Sequence, residues 1–287
     1  MTRTQPSPER PDQRRTFQRS VDTHEDGRWT RRDDAIVVEE PLEIHLAWPG
    51  GGRRLGATMR TPGNDDELAA GLLYAEGIVH DPAEIRGIAH EPLPGEAQEF
   101  NSVRVELAKA PRVDWSQLAR PFLMSSACGV CGRATTDYLR ATNPPAMQAA
   151  SPRITPTMLA SLPDRVREAQ KVFEATGGLH ATAFFDPAGR PWISREDVGR
   201  HNAFDKAVGR AFLDGKAPLH DAVALVSGRA SYELVQKAVR AGVPVLAAVG
   251  APSSLAIDVA AEFGVTLVGF LRGNRFNVYT GRERVRS

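Results

Sequence analysis

Positive and negative charges nearly cancel along this chain, 36 Lys and Arg against 35 Asp and Glu for a net charge of +1. No overall field therefore draws it to nucleic acid or to an anionic membrane surface, and neither is expected among its partners. Apolar runs are short, and none approaches the roughly 20 residues that a membrane-crossing helix needs. Arg14-Arg15-Thr16-Phe17-Gln18 superficially resembles a twin-arginine export signal, but no apolar segment follows it and no other signal peptide is evident. Neither a Walker phosphate loop nor a G-x-G-x-x-G fingerprint is present, so an ordinary ATPase or dinucleotide dehydrogenase is not supported. Only two cysteines occur in 287 residues, too few for a structural zinc site unless histidines or a second subunit complete it. The expectation is a soluble cytoplasmic protein, in which thiols stay reduced. At 41% hydrophobic residues, the chain can bury a sizeable core in one large or two small domains.

Both cysteines fall in one segment, Ser125-Ser126-Ala127-Cys128-Gly129-Val130-Cys131-Gly132-Arg133. A C-x-x-C pair is a dithiol, a redox couple or half a metal site. Glycine after each cysteine removes bulk and frees the backbone, which suits a loop where another molecule approaches the sulfur. Arg133 to Arg140 reads as a helix start, placing both sulfurs near unpaired N–H groups and the positive end of a helix, a setting that favours the thiolate. Burial as two small residues stays open, since free cysteine is among the most buried types. A structural disulfide would close too short a loop to constrain the unfolded chain much.

Residues 1–33 are rich in Arg, Asp, Glu, Gln and Pro, and read as a disordered tail. Order is expected to begin near Ile36 and to continue through an N-terminal region, 34–140, that carries the C-x-x-C loop. It includes a strand at Leu42 to Leu46, a cap ahead of a helix at Leu68 to Tyr74, and an alternating strand from Asn101 to Leu107. Residues 141–156, with Asn143-Pro144-Pro145, read as a linker. A C-terminal α/β region, 157–287, opens with a helix from Thr157 to Thr176, a turn at Gly177-Gly178 and a strand at Ala181 to Phe185. Three apolar strands then recur, at 222–226, 243–249 and 266–270. The first two run through a short loop into a helix, the pattern of a parallel sheet with right-handed crossovers.

The loops after these strands are expected along one carboxyl edge, where open α/β folds bind ligands. They carry Ser227, Gly228, Arg229 and Ser231 in the first, Ser253 and Ser254 in the second, Arg272 and Arg275 in the third. Serine and glycine at helix starts accept anions, and arginine grips phosphate in a bidentate fork, so a nucleotide or pyrophosphate ligand follows. Helix capping would explain the serines alone. Ser194-Arg195-Glu196-Asp197-Val198-Gly199-Arg200-His201-Asn202 concentrates polar groups at a further helix opening, either to orient a ligand or as a solvated helix start. His201 is a candidate acid or base there, and His180 a lesser one.

A zinc nucleoside deaminase would place H-x-E before its C-x-x-C, whereas His180-Ala181-Thr182 follows the cysteines and lacks the glutamate. A thioredoxin-like protein would carry its C-x-x-C after its first strand. Five segments taken together resemble the FdhD family of sulfur carriers required for formate dehydrogenase activity. They are Cys128-Gly129-Val130-Cys131-Gly132, Thr176-Gly177-Gly178-Leu179-His180-Ala181, Arg195 to Ala203, Ser227-Gly228-Arg229-Ala230-Ser231-Tyr232-Glu233, and Phe270-Leu271-Arg272-Gly273-Asn274-Arg275. The resemblance implies a three-layer α/β/α, cytidine deaminase-like fold with a largely parallel sheet in its C-terminal part, a smaller N-terminal β-containing region, and a homodimer. It also implies that Cys128, helped by Cys131, takes sulfane sulfur from a cysteine desulfurase as a persulfide. The acceptor would be a molybdenum or tungsten bis(molybdopterin guanine dinucleotide) cofactor, carried as cargo and destined for formate dehydrogenase. Phe270 to Arg275, Ser227, Gly228, Arg229, Ser231, Ser253 and His201 would hold that cofactor, with no metal site of the chain's own. A cofactor-binding chaperone whose cysteines matter only structurally stays open as an alternative.

Overall fold

The computed structural model describes residues 15–91, 100–115, 136, 139–140, 144–147 and 151–286. Strands β1 (Thr16–Glu25) and β2 (Arg28–Val37) form an antiparallel ribbon, followed by β3 (Glu40–Trp48), β4 (Gly51–Arg60), α1 (Asp65–Ala75), β5 (Ile85–His90) and β6 (Ser102–Leu107). Next come α2 (Pro156–Ala169), α3 (Lys171–Thr176), β7 (His180–Phe185), β8 (Pro191–Asp197) and α4 (Arg200–Leu213). The chain then runs through β9 (Val223–Val226), α5 (Tyr232–Ala241), β10 (Val245–Ala248), α6 (Ser254–Glu262), β11 (Thr266–Arg272) and β12 (Arg275–Thr280).

A six-stranded sheet in the order β12-β11-β10-β9-β7-β8 is the centre of the molecule. Its middle, β9, β10 and β11, is parallel as the repeated pattern predicts, with antiparallel β12 and β7 on its flanks. Because side chains alternate across a strand, the sheet separates two apolar clusters. On one face Ala183, Phe185, Leu225 and Val268 pack with Leu159, Leu162 and Val166 of α2. On the other, Phe184, Val226 and Leu246 pack with Phe204 of α4, Val235 of α5 and Val259 of α6. These are the three layers expected of the α/β/α class.

The second cluster runs on through α1 into a four-stranded sheet, β4-β3-β6-β5, taking in Leu68, Leu42 and Val105. The N-terminal region therefore shares its core with the C-terminal one. Helices α1 and α4 cross almost backbone to backbone. A methyl group on Gly71 would lie 1.9 Å from the Asp205 carbonyl oxygen, and one on Gly209 1.8 Å from that of Glu67. Only glycine fits at this crossing.

Several expectations are corrected. The tail predicted as disordered holds the β1–β2 ribbon. Its turn is Asp26-Gly27, with φ of 50° and 78°, and both positive angles belong to a two-residue hairpin turn that matches strand twist. The segment read as a linker is tied down where it is described, by Ile154 N–H to Arg284 O and Arg286 N–H to Ile154 O, both 2.9 Å. The helix predicted over 157–176 breaks at Gln170, whose ψ of 62° is not helical. The third loop is a tight hairpin, so Arg272 and Arg275 are paired strand residues either side of Gly273-Asn274. Among the described residues no helix is long and apolar enough to cross a membrane.

Candidate functional site at the carboxyl edge of the sheet

Strands β9, β10 and β11 end side by side, while antiparallel β7 begins and β8 ends at that same edge. One line of backbone thus brings together His180, Asp197, Ser227, Val249 and Arg272, segments far apart in the chain. Short hydrogen bonds hold the loops there: Gly250 N–H to Gly228 O at 2.9 Å, Phe270 N–H to Gly250 O at 3.0 Å, and Ala230 N–H to Ala251 O at 3.2 Å. Phe270 adopts φ 53°, a left-handed conformation that strains a residue with a Cβ, and its ring is 42% exposed.

The residues predicted to bind ligand divide by what they already do. Ser227 Oγ accepts from Ala181 N–H at 2.9 Å and so ties β7 to β9. Ser253 caps α6, its Oγ accepting from Ala256 N–H at 3.2 Å. Gly228 leaves room beside His180, whose Nδ1 would be 3.4 Å from an added methyl. Arg229, Arg272, Asn274 and Arg275 are exposed, and the three arginines have no ion-pair partner among the described residues. Of these only Arg272 lines a cleft of about 590 Å³, walled by Ser227, Leu271, Arg272 and Gly273 from the sheet and by Gly177 to His180 from the glycine turn. Its other wall comes from α2 and α3, which sequence reasoning did not assign to a site. Cys128 and Cys131 lie outside the described residues.

The polar segment at 194–202 is mainly an interlock. Asp197 is fully buried, 2.7 Å from Lys206 Nζ, and accepts from Thr61 N–H at 3.1 Å and Gly199 N–H at 2.8 Å. Lys206 donates onward to Thr61 O at 2.8 Å, and Arg195 forks the Glu67 carboxylate of α1. Glu196 accepts from the N–H groups of Val172 and Phe173, and Asn202 donates to Met59 O at 2.7 Å. Spacing in sequence gives no sign of these partners, three of which, Met59, Thr61 and Glu67, lie more than a hundred residues away.

Ser194, Arg200 and His201 have side-chain groups that this interlock does not engage. Arg200 Nε is buried without a hydrogen-bond partner among the described residues. His201 Nε2 lies 3.2 Å from Ser231 Oγ and 3.8 Å from Glu233 Oε2. Burial, then the Lys237 and Arg200 charges, pull the His201 pKa down to about 4, so the ring is neutral at pH 7. Burial opposes the Glu233 charge, but its own backbone N–H, the Ser231 hydroxyl and the nearby His201 and Arg200 outweigh it and lower its pKa. Burial and Arg200 likewise hold His180 below the usual histidine range. The edge thus offers unpaired guanidinium groups, backbone turns open to close approach, and two neutral imidazoles. This is the chemistry of an anion-binding site with uncharged hydrogen-bonding groups beside it.

The model of the FdhD/NarQ family matches residues 37–286. A Streptomyces coelicolor relative named sulfur carrier protein FdhD is 50% identical over 274 residues, covering 94% of this chain and 95% of the relative. One of the same name from the archaeon Sulfurisphaera tokodaii is 42% identical over 253 residues, 88% of this chain and 92% of the relative. A crystal structure described as a formate dehydrogenase accessory protein from Desulfotalea psychrophila shares the fold. Its TM-score is 0.72 at 24% identity, over 94% of this chain and 99% of that one. The glycine turn, the interlocked polar segment and the arginine hairpin meet on one edge within the matched span, and the chain belongs to the FdhD/NarQ family.

Proposed function

We propose that this protein is a sulfur carrier, a sulfurtransferase that accepts sulfane sulfur as a persulfide on Cys128 and hands it to a molybdenum or tungsten bis(molybdopterin guanine dinucleotide) cofactor bound as cargo. The observation that carries the reading is the cleft of about 590 Å³ on the carboxyl edge, with the unpaired Arg272 in its wall. It supports a phosphate-bearing ligand, and relatives named sulfur carrier supply the sulfur chemistry.

In the first step the Cys128 thiolate attacks the outer sulfur of a persulfide on a cysteine desulfurase. A new S–S bond forms at Cys128, the donor's S–S bond breaks, and the donor cysteine leaves as a thiolate. Delivery as sulfide needs two electrons. The Cys131 thiolate supplies them by attacking the inner sulfur of the Cys128 persulfide, which leaves a Cys128–Cys131 disulfide and releases hydrosulfide to the acceptor. Arg272, Arg275 and Arg229 would hold the phosphates of the cargo, and Phe270 to Asn274 its flank. The neutral His201 would contact the cargo as an uncharged hydrogen-bonding group. The loaded cofactor would then serve formate dehydrogenase.

The test is intact mass spectrometry of the reduced protein after incubation with a cysteine desulfurase and cysteine. A gain of about 32 Da, reversed by dithiothreitol and absent from Cys128→Ala, is expected. Guanine nucleotide binding with no sulfur gain in any form would instead leave a cofactor-binding chaperone.

A further inference from the structure

Among the described residues strand β2 has a strand partner on one side only, for the ribbon it forms with β1 is a sheet by itself. A two-stranded ribbon is marginally stable alone in water, and a free edge is a template for a further strand. Val38 N–H donates to Arg15 O at 2.9 Å, and the β1–β2 register runs without a shift. The even-numbered residues of β2 therefore turn their backbone groups to β1. Along the free edge, the N–H and C=O groups of Trp29, Arg31, Asp33, Ala35 and Val37 point outward.

In the middle of that edge stands Arg31-Arg32-Asp33-Asp34, two positive charges followed by two negative. Arg31 donates to Ser20 Oγ at 3.0 Å, but none of them is in an ion pair among the described residues, although Asp22 and Arg19 stand opposite Arg31 and Asp34 on β1. Charge commonly guards an edge strand, and a guard of one sign repels a second copy. This order does the reverse, because the strand turned end for end meets its opposite charges. Outward-facing residues can oppose only outward-facing ones, so the two-fold axis of such a pairing passes through a residue. Centred on Asp33, it sets Arg32 opposite Asp34, Trp29 opposite Val37 and Thr30 opposite Ile36. The one like pair, Asp33 with its own copy, lies diagonal to both Arg31 guanidinium groups, within reach of long side chains. Centred on Arg32, it would set Arg28 against Ile36 and Arg32 against its own copy.

We infer that the free edge of β2 is a self-pairing surface, on which a second copy of this chain adds its own β2 antiparallel about Asp33 and joins two ribbons into one four-stranded sheet. The outward residues of the two copies exchange about ten backbone hydrogen bonds, as many as a typical interface carries. Trp29, 72% exposed in the single chain, comes to the foot of the other ribbon, where Val37 rests against Gly178. The pairing does not depend on the function proposed above.

Sedimentation equilibrium of the full chain tests it. The native protein is expected to dimerise, with a Kd that rises as salt screens the exposed charges. Arg31→Asp with Arg32→Asp, and separately Asp33→Arg with Asp34→Arg, each set like charges along the contact and should weaken self-association at least about tenfold. Mixed in equal amounts, the acidic and basic variants should form a heterodimer, which also shows that both ribbons are folded. In a chain carrying Cys128→Ala and Cys131→Ala, Asp33→Cys should yield a covalent dimer on mild oxidation, since residues opposed at that position lie about 5.5 Å apart at Cα. Ser20→Cys on β1 should not. A monomeric native chain, double variants that dimerise as tightly as the native one, a mixture without heterodimer, or an Asp33→Cys chain that stays unlinked would overturn the pairing.

Discussion

His201 shows how a single residue can be set mainly by groups that its own helix does not supply. Ser231 and Glu233 come from the start of α5, Lys237 from one turn further along it, Arg200 from the preceding residue and His180 from β7. Its pKa is about 4 in the folded protein, against about 6.5 in an unfolded chain. Between these values the unfolded state binds the extra proton, so lowering the pH through this window weakens the fold, and above about pH 6.5 the penalty is absent. The difference amounts to about 2–3 kcal/mol between pH 7 and pH 4. Urea titrations of native protein and His201→Gln across that range should show the variant losing less stability on acidification. Equal slopes would mean that His201 is not held neutral by its surroundings. Little of this was legible in the sequence. His201 stood out because it sits among polar residues, but its hydroxyl partner lies thirty positions on, and only folding brings the two within 3.2 Å.

At the scale of elements, local signals were read well where one period dominated. The recurring apolar strands gave the parallel centre of the sheet and with it the edge on which the candidate site lies. The first ribbon was missed because composition outweighed turn chemistry. Asp26-Gly27 is a strong hairpin signal, but the flanking strands are polar on both faces and Trp29 is 72% exposed. Strands β5 and β12 escaped because their pairing is distant or bulged. The α1–α4 crossing was likewise illegible, since a lone glycine in a helix reads as a weakness until the facing backbone is seen. That crossing yields a prediction whose sign separates two effects. On an open helix Gly→Ala gains about 1 kcal/mol. At Gly71, where the methyl would meet the Asp205 carbonyl, Gly71→Ala should instead lose about 3 kcal/mol or more, measured as a lower urea midpoint at unchanged slope. A gain would show that the helices are not in backbone contact.

For the whole molecule, the six- and four-stranded sheets share one core, and buried ion pairs brace the helices packed between them. Lys206 meets Asp197 and Thr61, Lys237 meets Asp205 at 2.7 Å, and Arg60 meets Asp65 at 3.0 Å. Removing one partner strands a buried charge, so Lys206→Met should lower stability by about 3–5 kcal/mol, toward the lower end because Asp197 keeps its N–H donors. Far-UV circular dichroism and tryptophan fluorescence should still report one coincident transition for both forms. Separate transitions would mean that the N-terminal sheet folds independently of the rest. The division at 141–156 read from composition marks a change of sequence character, whereas Leu42, Leu68, Phe204 and Leu246 belong to one buried cluster.

The same shared core bears on how the protein is made. Helix α1 leaves the ribosome with Leu68, Ala69 and Leu73 lacking their cover, because α4, against which they pack, begins only at Arg200. At ordinary synthesis rates the wait is on the order of ten seconds. During that time an apolar face is open to any sticky neighbour, so the emerging chain would be a natural client for a holding chaperone at the exit tunnel.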